Sequence, residues 1–383
     1  MVFYPCFISY LGSCALIGQF NKAKAAASSE NHGADFFRPK LKFTLSGAAL
    51  FSLKKSLQNK GFRLEEQSSE EGLLLDFRKN RLGAWGSFVF HAGLLLLVLA
   101  SLLNFAFQKW GFVQLIEGDA FSGREEDFLT SEKGMFAGGF NVNAEVYLAS
   151  FRHAYWDTGE LKELASEVVI RPPEAPSRKA VITKASPLFI KGVRVYQSGY
   201  FGYAVKLDLV KDNRIMPGYF LLDMAPMGKP LTGKSDFPTT GYDLDMTFYP
   251  DKRGASIYPA DPVLAVRFLR GEKELARKIL RLGDEAVVEG KRFRFAEVRN
   301  WSGLIFSENR FMPLIYMGFF VISCGPALAF IFPFQKIIID VSPQAQGGYT
   351  VKAAVRSRIG REQLLNDLMS VINDEINAPM DKT

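Results

Sequence analysis

One histidine sits inside a run that carries no charge. His91 lies within Ala84–Phe107, a stretch of 24 residues without Asp, Glu, Lys or Arg. An ionisable side chain at membrane depth is costly unless something binds it. A neutral imidazole needs no counter-charge there and is a strong axial ligand for haem iron. It could equally hydrogen-bond a neighbouring helix, and the residue pattern leaves both roles open. Gly83, Ser87 and His91 are spaced i, i+4, i+8 and fall on one helical stripe. Small residues on such a stripe let a second helix, or a flat macrocycle, come close. Trp85, Phe88 and Phe90 add aromatic bulk nearby.

Other chemistry is sparse. The chain has 3 histidines, His32, His91 and His153. His32 stands in a polar Ser-Glu-Asn-His-Gly stretch and reads as solvated. His153, in Phe-Arg-His-Ala-Tyr-Trp-Asp near an expected strand end, reads more readily as a surface or half-buried structural histidine than as a ligand. A metal-hydrolase site would need several ligands converging in space. No Gly-x-Ser-x-Gly elbow and no phosphate-binding glycine loop is present. Carboxylates between the apolar runs are scattered. Cys6, Cys14 and Cys324 all lie in apolar runs and read as small hydrophobes. The absence of Cys-x-x-Cys excludes a thiol-disulfide oxidoreductase.

The elements that position His91 are membrane helices. A second uncharged run, Phe311–Phe334, matches the first in length. A helix rises about 1.5 Å per residue and the hydrocarbon core is roughly 30 Å thick, so each run can span it. Arg78, Lys79 and Arg81 precede the first run, and Lys336, Lys352, Arg356, Arg358 and Arg361 follow the second. Positive charge favours the cytoplasmic side, so the first span should run outward and the second return. Met1–Asn21 reads as a weak third span, interrupted by Pro5, Gly12 and Gly18. Its positive charges follow the apolar run, which argues against a signal peptide. Three spans would leave the N-terminus outside, which suggests a further helix upstream. Pro313, Pro326 and Pro333 are expected to bend the returning span.

The expected division is a weak membrane segment at 1–21, cytoplasmic α+β at 22–83, a span at 84–107, a large extracytoplasmic and mostly-β domain at 108–310, a span at 311–334, and a cytoplasmic tail with an amphipathic helix at 335–383. The net charge is +7, but residues 1–83 hold 12 bases against 7 acids, while 108–310 hold 29 against 27. The excess sits beside membrane segments and forms no basic stripe, so nucleic-acid binding is excluded. Ser46 should cap a helix with Leu50, Leu53 and Leu57 on its apolar face, ended by Gly61. Phe62–Glu66 and Leu73–Phe77 read as strands. Thr350–Val355 reads as another, and Arg361–Ile376 as a helix; these cytoplasmic pieces are expected to dock on each other. In the large domain, period-2 alternation marks Val205–Val210, Leu244–Phe248 and Lys291–Phe295. Val168–Arg171, Val193–Tyr196 and Val263–Leu269 are further strands, and Glu272–Leu282 is expected to be a helical interruption. Many short strands suggest a sandwich or open barrel.

Gly83-Ala-Trp-Gly-Ser-Phe-Val-Phe-His91-Ala-Gly-Leu-Leu resembles the histidine-bearing span of the ResB/CcsB family. Glu117-Gly118 resembles the family's Glu-Gly after that span. Pro187-Leu188, followed by Gly192-Val-Arg-Val-Tyr196-Gln197-Ser198-Gly-Tyr200-Phe-Gly202, resembles its Pro-Leu and Tyr-Gln-Ser stretch. Ala185 and Ser186 stand where relatives often have Asn and His, and the returning span has no histidine. The resemblance covers roughly 40–345. It implies a System II cytochrome c biogenesis subunit in the inner (cytoplasmic) membrane, its large domain periplasmic. Such a protein would act as an assembly factor, more than as an enzyme on its own. Implied partners are a CcsA/ResC-type membrane protein, apocytochrome c and a thiol-reducing thioredoxin-like protein. The implied cofactor is haem, with His91 as axial ligand to its iron. The alternative is a haem-free membrane-anchored scaffold that presents a β-domain to other proteins.

Overall fold

The computed structural model describes residues 3–27, 41–69, 72–211, 214–225, 229–237, 240–253, 256–344, 347–357 and 359–377. The chain forms two compact units, one from Met1–Leu103 with Phe311–Thr383 and the other from Asn104–Arg310.

The first unit joins the two ends of the chain. Its helices are α1 (Phe3–Ala27), α2 (Gly47–Asn59), α3 (Gly86–Phe107, which continues into the second unit), α4 (Met312–Ile331) and α5 (Arg361–Asn377). A five-stranded antiparallel sheet runs in the order Leu41–Leu45, Tyr349–Ser357, Gln335–Pro343, Gly72–Lys79, Arg63–Ser69. Strands from before the first span therefore flank the returning chain on both sides, with Leu75 opposite Ile339 at one edge and Phe43 opposite Val351 at the other. Ile337, Ile339 and Val341 point to one face by period-2 alternation and pack with Leu50, Leu53, Leu57, Leu364 and Leu368 from α2 and α5. The expected docking of the segment before the first run on the tail after the second is thus this core. Ser46 caps α2, its hydroxyl accepting from the Ala49 amide at 3.2 Å, and Gly61 follows in the left-handed region at φ +88°.

Among the described residues two helices are long and apolar enough to cross a bilayer, α4 and the helical stretch Arg81–Phe107. They touch through glycines. A Cβ on Gly86 would stand 2.6 Å from the Gly325 carbonyl oxygen, and one on Gly93 would stand 2.6 Å from the Ile322 nitrogen. Backbone-to-backbone contact is what drives helix association where no hydrophobic force operates. Of the three prolines expected to bend the second span, only Pro326 lies inside α4. Pro313 sits in the first turn, where its missing amide hydrogen has no intrahelical partner to lose, and Pro333 lies beyond the helix.

The second unit is built on two long antiparallel strands, Val193–Lys211 and Lys291–Glu308. They form the centre of a seven-stranded sheet with Leu188–Ile190, Lys109–Ile116, Thr130–Lys133, Arg214–Asp223 and Glu285–Val288. One four-stranded sheet (Ala120–Phe121, Glu145–Tyr155, Leu161–Arg171, Arg178–Thr183) shares a core with Val113, Val195 and Phe306. Another (Leu231–Phe237, Tyr242–Tyr249, Val263–Arg270, Lys273–Arg281) packs on Val205, Leu207, Phe293 and Phe295. The long strands thus pass from one core into the next. The helical interruption expected at Glu272–Leu282 is instead the strand Lys273–Arg281. Its Lys, Glu, Leu, Ala and Arg favour helix, but pairing with Val263–Arg270 overrides that preference. Its charges suit a sheet edge, where they discourage pairing with other chains.

Candidate functional site

His91 lies five residues into α3, roughly 7–8 Å along its axis from Gly86. Its Nδ1 is 2.7 Å from the Ser87 carbonyl oxygen. A carbonyl only accepts, so Nδ1 carries the proton and donates it. The lone pair of the neutral ring is therefore on Nε2, for which no hydrogen-bond partner is found among the described residues. One ring nitrogen held by a backbone carbonyl and the other presenting its lone pair is how histidines that bind metals are oriented.

Helix α1 contacts residues on either side of His91. The Ser87 hydroxyl donates to Gln19 Oε1 at 2.9 Å, and Phe20 meets Trp85 and Phe88 edge-on, each at 5.5 Å between centroids. A Cβ on Gly12 would lie 3.3 Å from Leu95. Helix α1 therefore runs along the Ser87–His91–Leu95 face. By the helical repeat that face is turned roughly 140° from the Gly86–Gly93 face that meets α4. The expected stripe is thereby divided. Gly83 belongs to a 3-10 turn, Arg81–Trp85, and packs on the backbone of Phe332, while Ser87 and His91 share the α1 side. The α-helical repeat does not extend back through a 3-10 turn, so Gly83 leaves the stripe.

The Glu-Gly and Tyr-Gln-Ser motifs organise the β unit. Glu117 accepts from the Phe151 amide at 2.7 Å and from the Asn300 side chain at 3.1 Å, tying three strands together. Gly118 turns the chain at φ +96° and donates to the Leu148 carbonyl at 2.9 Å. Between Gln197 and Phe201 the register with the partner strand slips, so that Ser198, Gly199 and Tyr200 oppose Gly303 alone. The buried Gln197 amide holds this bulge. Its nitrogen donates to Ser302 Oγ at 2.8 Å, and its oxygen accepts from Ser166 at 2.6 Å. Ser198 accepts from the Tyr200 amide at 2.9 Å. Bulges re-aim strands, and this one carries Val193–Lys211 from the first core to the second. This network gives Gln197 a structural role; Ser166 and Ser302, which complete it, carry no motif of their own.

His153 is buried, only 5% exposed, where a surface or half-buried position was expected. It stacks on Tyr258 at 5.3 Å and meets Phe201, Tyr155 and Tyr203. It borders a cavity of about 450 Å³ that Tyr203, Tyr258, Pro259 and Asn300 also line. Burial pushes its pKa down to about 4, so the ring is neutral. The Tyr203 hydroxyl donates to the Ile257 carbonyl at 3.0 Å and lies 3.4 Å from His153 Nε2, whereas Nδ1 has no partner among the described residues. Lys109 and Glu308 form a buried ion pair at 3.0 Å. Burial works against the charged carboxylate there, yet Lys109 and Arg310 outweigh it and hold Glu308 below its ordinary value.

His32 and the side chain of Cys6 lie outside the described residues. Cys14 is exposed on α1 and Cys324 half-buried on α4. Among the described residues no group of three or more His, Cys, Asp or Glu could hold a metal ion.

The sequence model of the ResB-like family matches residues 36–368. Among curated proteins, the chain is similar to "Cytochrome c biogenesis protein CcsB" of Synechococcus sp. (strain CC9311), 22% identical over 359 residues, 89% of this chain and 75% of that protein. The protein of the same name from Synechococcus sp. (strain WH7803) is 23% identical over 360 residues, 88% of this chain and 75% of that one. For Synechococcus sp. (strain RCC307) the figures are 24% over 291 residues, 75% of this chain and 60% of the relative. The chain therefore spans less than two thirds of the length of one of these relatives and about three quarters of the others. With a match over most of its length and the two apolar helices, the chain belongs to the ResB-like family of membrane proteins.

Proposed function

We propose that the chain is a cytochrome c biogenesis subunit that helps carry haem across the cytoplasmic membrane and present it to apocytochrome c. In this reading the spans place Arg78, Lys79 and Arg81 in the cytoplasm and the β unit in the periplasm, by the positive-inside tendency. The observation that carries the reading is the His91 ring. Its Nδ1 proton is spent on the Ser87 carbonyl, and its Nε2 lone pair stands unpaired in a segment with no other ionisable group. His91 would hold haem through its iron. Bound haem supplies the vinyl groups that become thioethers on the cytochrome. Ser87 orients the ring and Gln19 fixes Ser87. A further ligand would come from a CcsA/ResC-type partner, and a thioredoxin-like protein would keep the apocytochrome thiols reduced.

The test is spectroscopic. The chain, purified with its co-expressed partner, should show a haem Soret band that His91→Ala weakens or shifts and that added imidazole restores. A spectrum unchanged by His91→Ala, or no haem in any preparation, would sink the ligand role and leave a haem-free scaffold.

A further inference from the structure

The chain beyond α3 folds back onto the end of that helix. The Gly134 amide donates to the Gln108 carbonyl at 2.9 Å, and the Phe136 amide to the Ala106 carbonyl at 2.9 Å. The Ala137 amide closes the turn on the Gly134 carbonyl at 3.0 Å. Gly134 is needed there, because a Cβ would stand 2.4 Å from the carbonyl oxygens of both Phe105 and Ala106. The Phe136 ring lies 6.0 Å from that of Phe107. Held in this way, two large apolar side chains point outward, Met135 at 76% and Phe136 at 66% exposure. Phe105, at 69%, continues the patch onto the helix itself.

What covers this patch follows from where it sits. Helix α3 has 22 residues, about 33 Å at the usual rise, close to the thickness of the hydrocarbon layer. Its last turn therefore reaches the boundary between acyl chains and headgroups. A turn hydrogen-bonded to Ala106 lies at the same depth. The turn also pairs a carbonyl that the end of the helix would otherwise leave without a partner where water is scarce. Phe105 is already a lipid-facing residue of the span, so Met135 and Phe136 extend a surface that meets lipid.

We propose that the 134–137 turn is a membrane-docking element whose Met135 and Phe136 side chains enter the interfacial layer of the leaflet in which α3 ends. The occupant of the patch is lipid. This rests on α3 crossing the bilayer and is independent of any role in haem handling.

The experiment uses the full chain with Cys6, Cys14 and Cys324 changed to Ser, reconstituted in phosphatidylcholine–phosphatidylglycerol vesicles. Single Met135→Cys, Phe136→Cys, Phe105→Cys and Glu272→Cys variants carry an environment-sensitive fluorophore. Labels at 135 and 136 should emit to the blue of the label at 272 and lose most of their intensity to brominated lipid, as the label at 105 does. Quenching of 135 and 136 by aqueous iodide, as at 272, would overturn the proposal. So would shielding from both quenchers, which would mean that protein covers the patch. An unquenched label at 105 would remove its premise, the span itself.

Discussion

At the scale of single residues, two histidines behave in opposite ways, and each yields a measurement. His91 keeps a lone pair free on a face shared with α1, so its loss should appear in a haem spectrum while the β unit stays folded. His153 is a core residue. Unfolded, it takes a proton near the ordinary 6.5; folded, only near 4. Between those values the unfolded chain binds more protons, so the contribution is full above about 6.5 and is lost as pH falls towards 4. The difference reaches at most about 3 kcal/mol. Guanidinium unfolding followed by tryptophan fluorescence should show stability dropping from pH 7 to 4.5 more steeply than in His153→Phe. Equal slopes in the two proteins would contradict a ring kept neutral by burial. The sequence pointed to His91 because an imidazole in an uncharged run is anomalous by position alone. It misplaced His153 because burial there is made by Tyr203 and Tyr258, which lie 50 and 105 residues away.

Among elements, the α3–α4 contact is made by glycine. Gly86 and Gly93 leave room for the α4 backbone and for nothing larger. Gly93→Leu should force the helices apart, at a cost of about 1–3 kcal/mol or more. A lower thermal aggregation midpoint in detergent would register this, with Gly138→Ala as a neutral control, since nothing lies within 4 Å of that position. A midpoint unchanged in Gly93→Leu would mean that the helices do not pack there. The spans were legible because length and absence of charge suffice to recognise them. Which glycines face which helix was not, because a 3-10 turn before α3 breaks the spacing from which a stripe is read. The strand Lys273–Arg281 was missed for a related reason. Local preference favoured helix, and a neighbouring strand far outweighed it.

For the molecule as a whole, the β unit depends on one redirected strand. Gln197 holds the bulge between its two cores with hydrogen bonds to Ser166 and Ser302, both fully buried. Gln197→Leu leaves those hydroxyls with only each other, and should cost about 1–3 kcal/mol and lower the apparent Tm of the β unit. An unchanged Tm would show that the backbone holds the bulge unaided. The alternating strands and the capped helix α2 were read locally, and so was the membrane plan, because period, capping and apolar length are written in neighbouring residues. The sequence alone therefore determined that the chain has two uncharged runs of membrane length, a mainly β insert between them and one exceptional imidazole. Only the tertiary structure decided that the two ends of the chain share a sheet, that α1 and not α4 runs along the histidine face, and that the long strands serve two cores. Those outcomes depend on contacts between residues tens to hundreds of positions apart, and packing free energy selects such contacts without leaving a local trace.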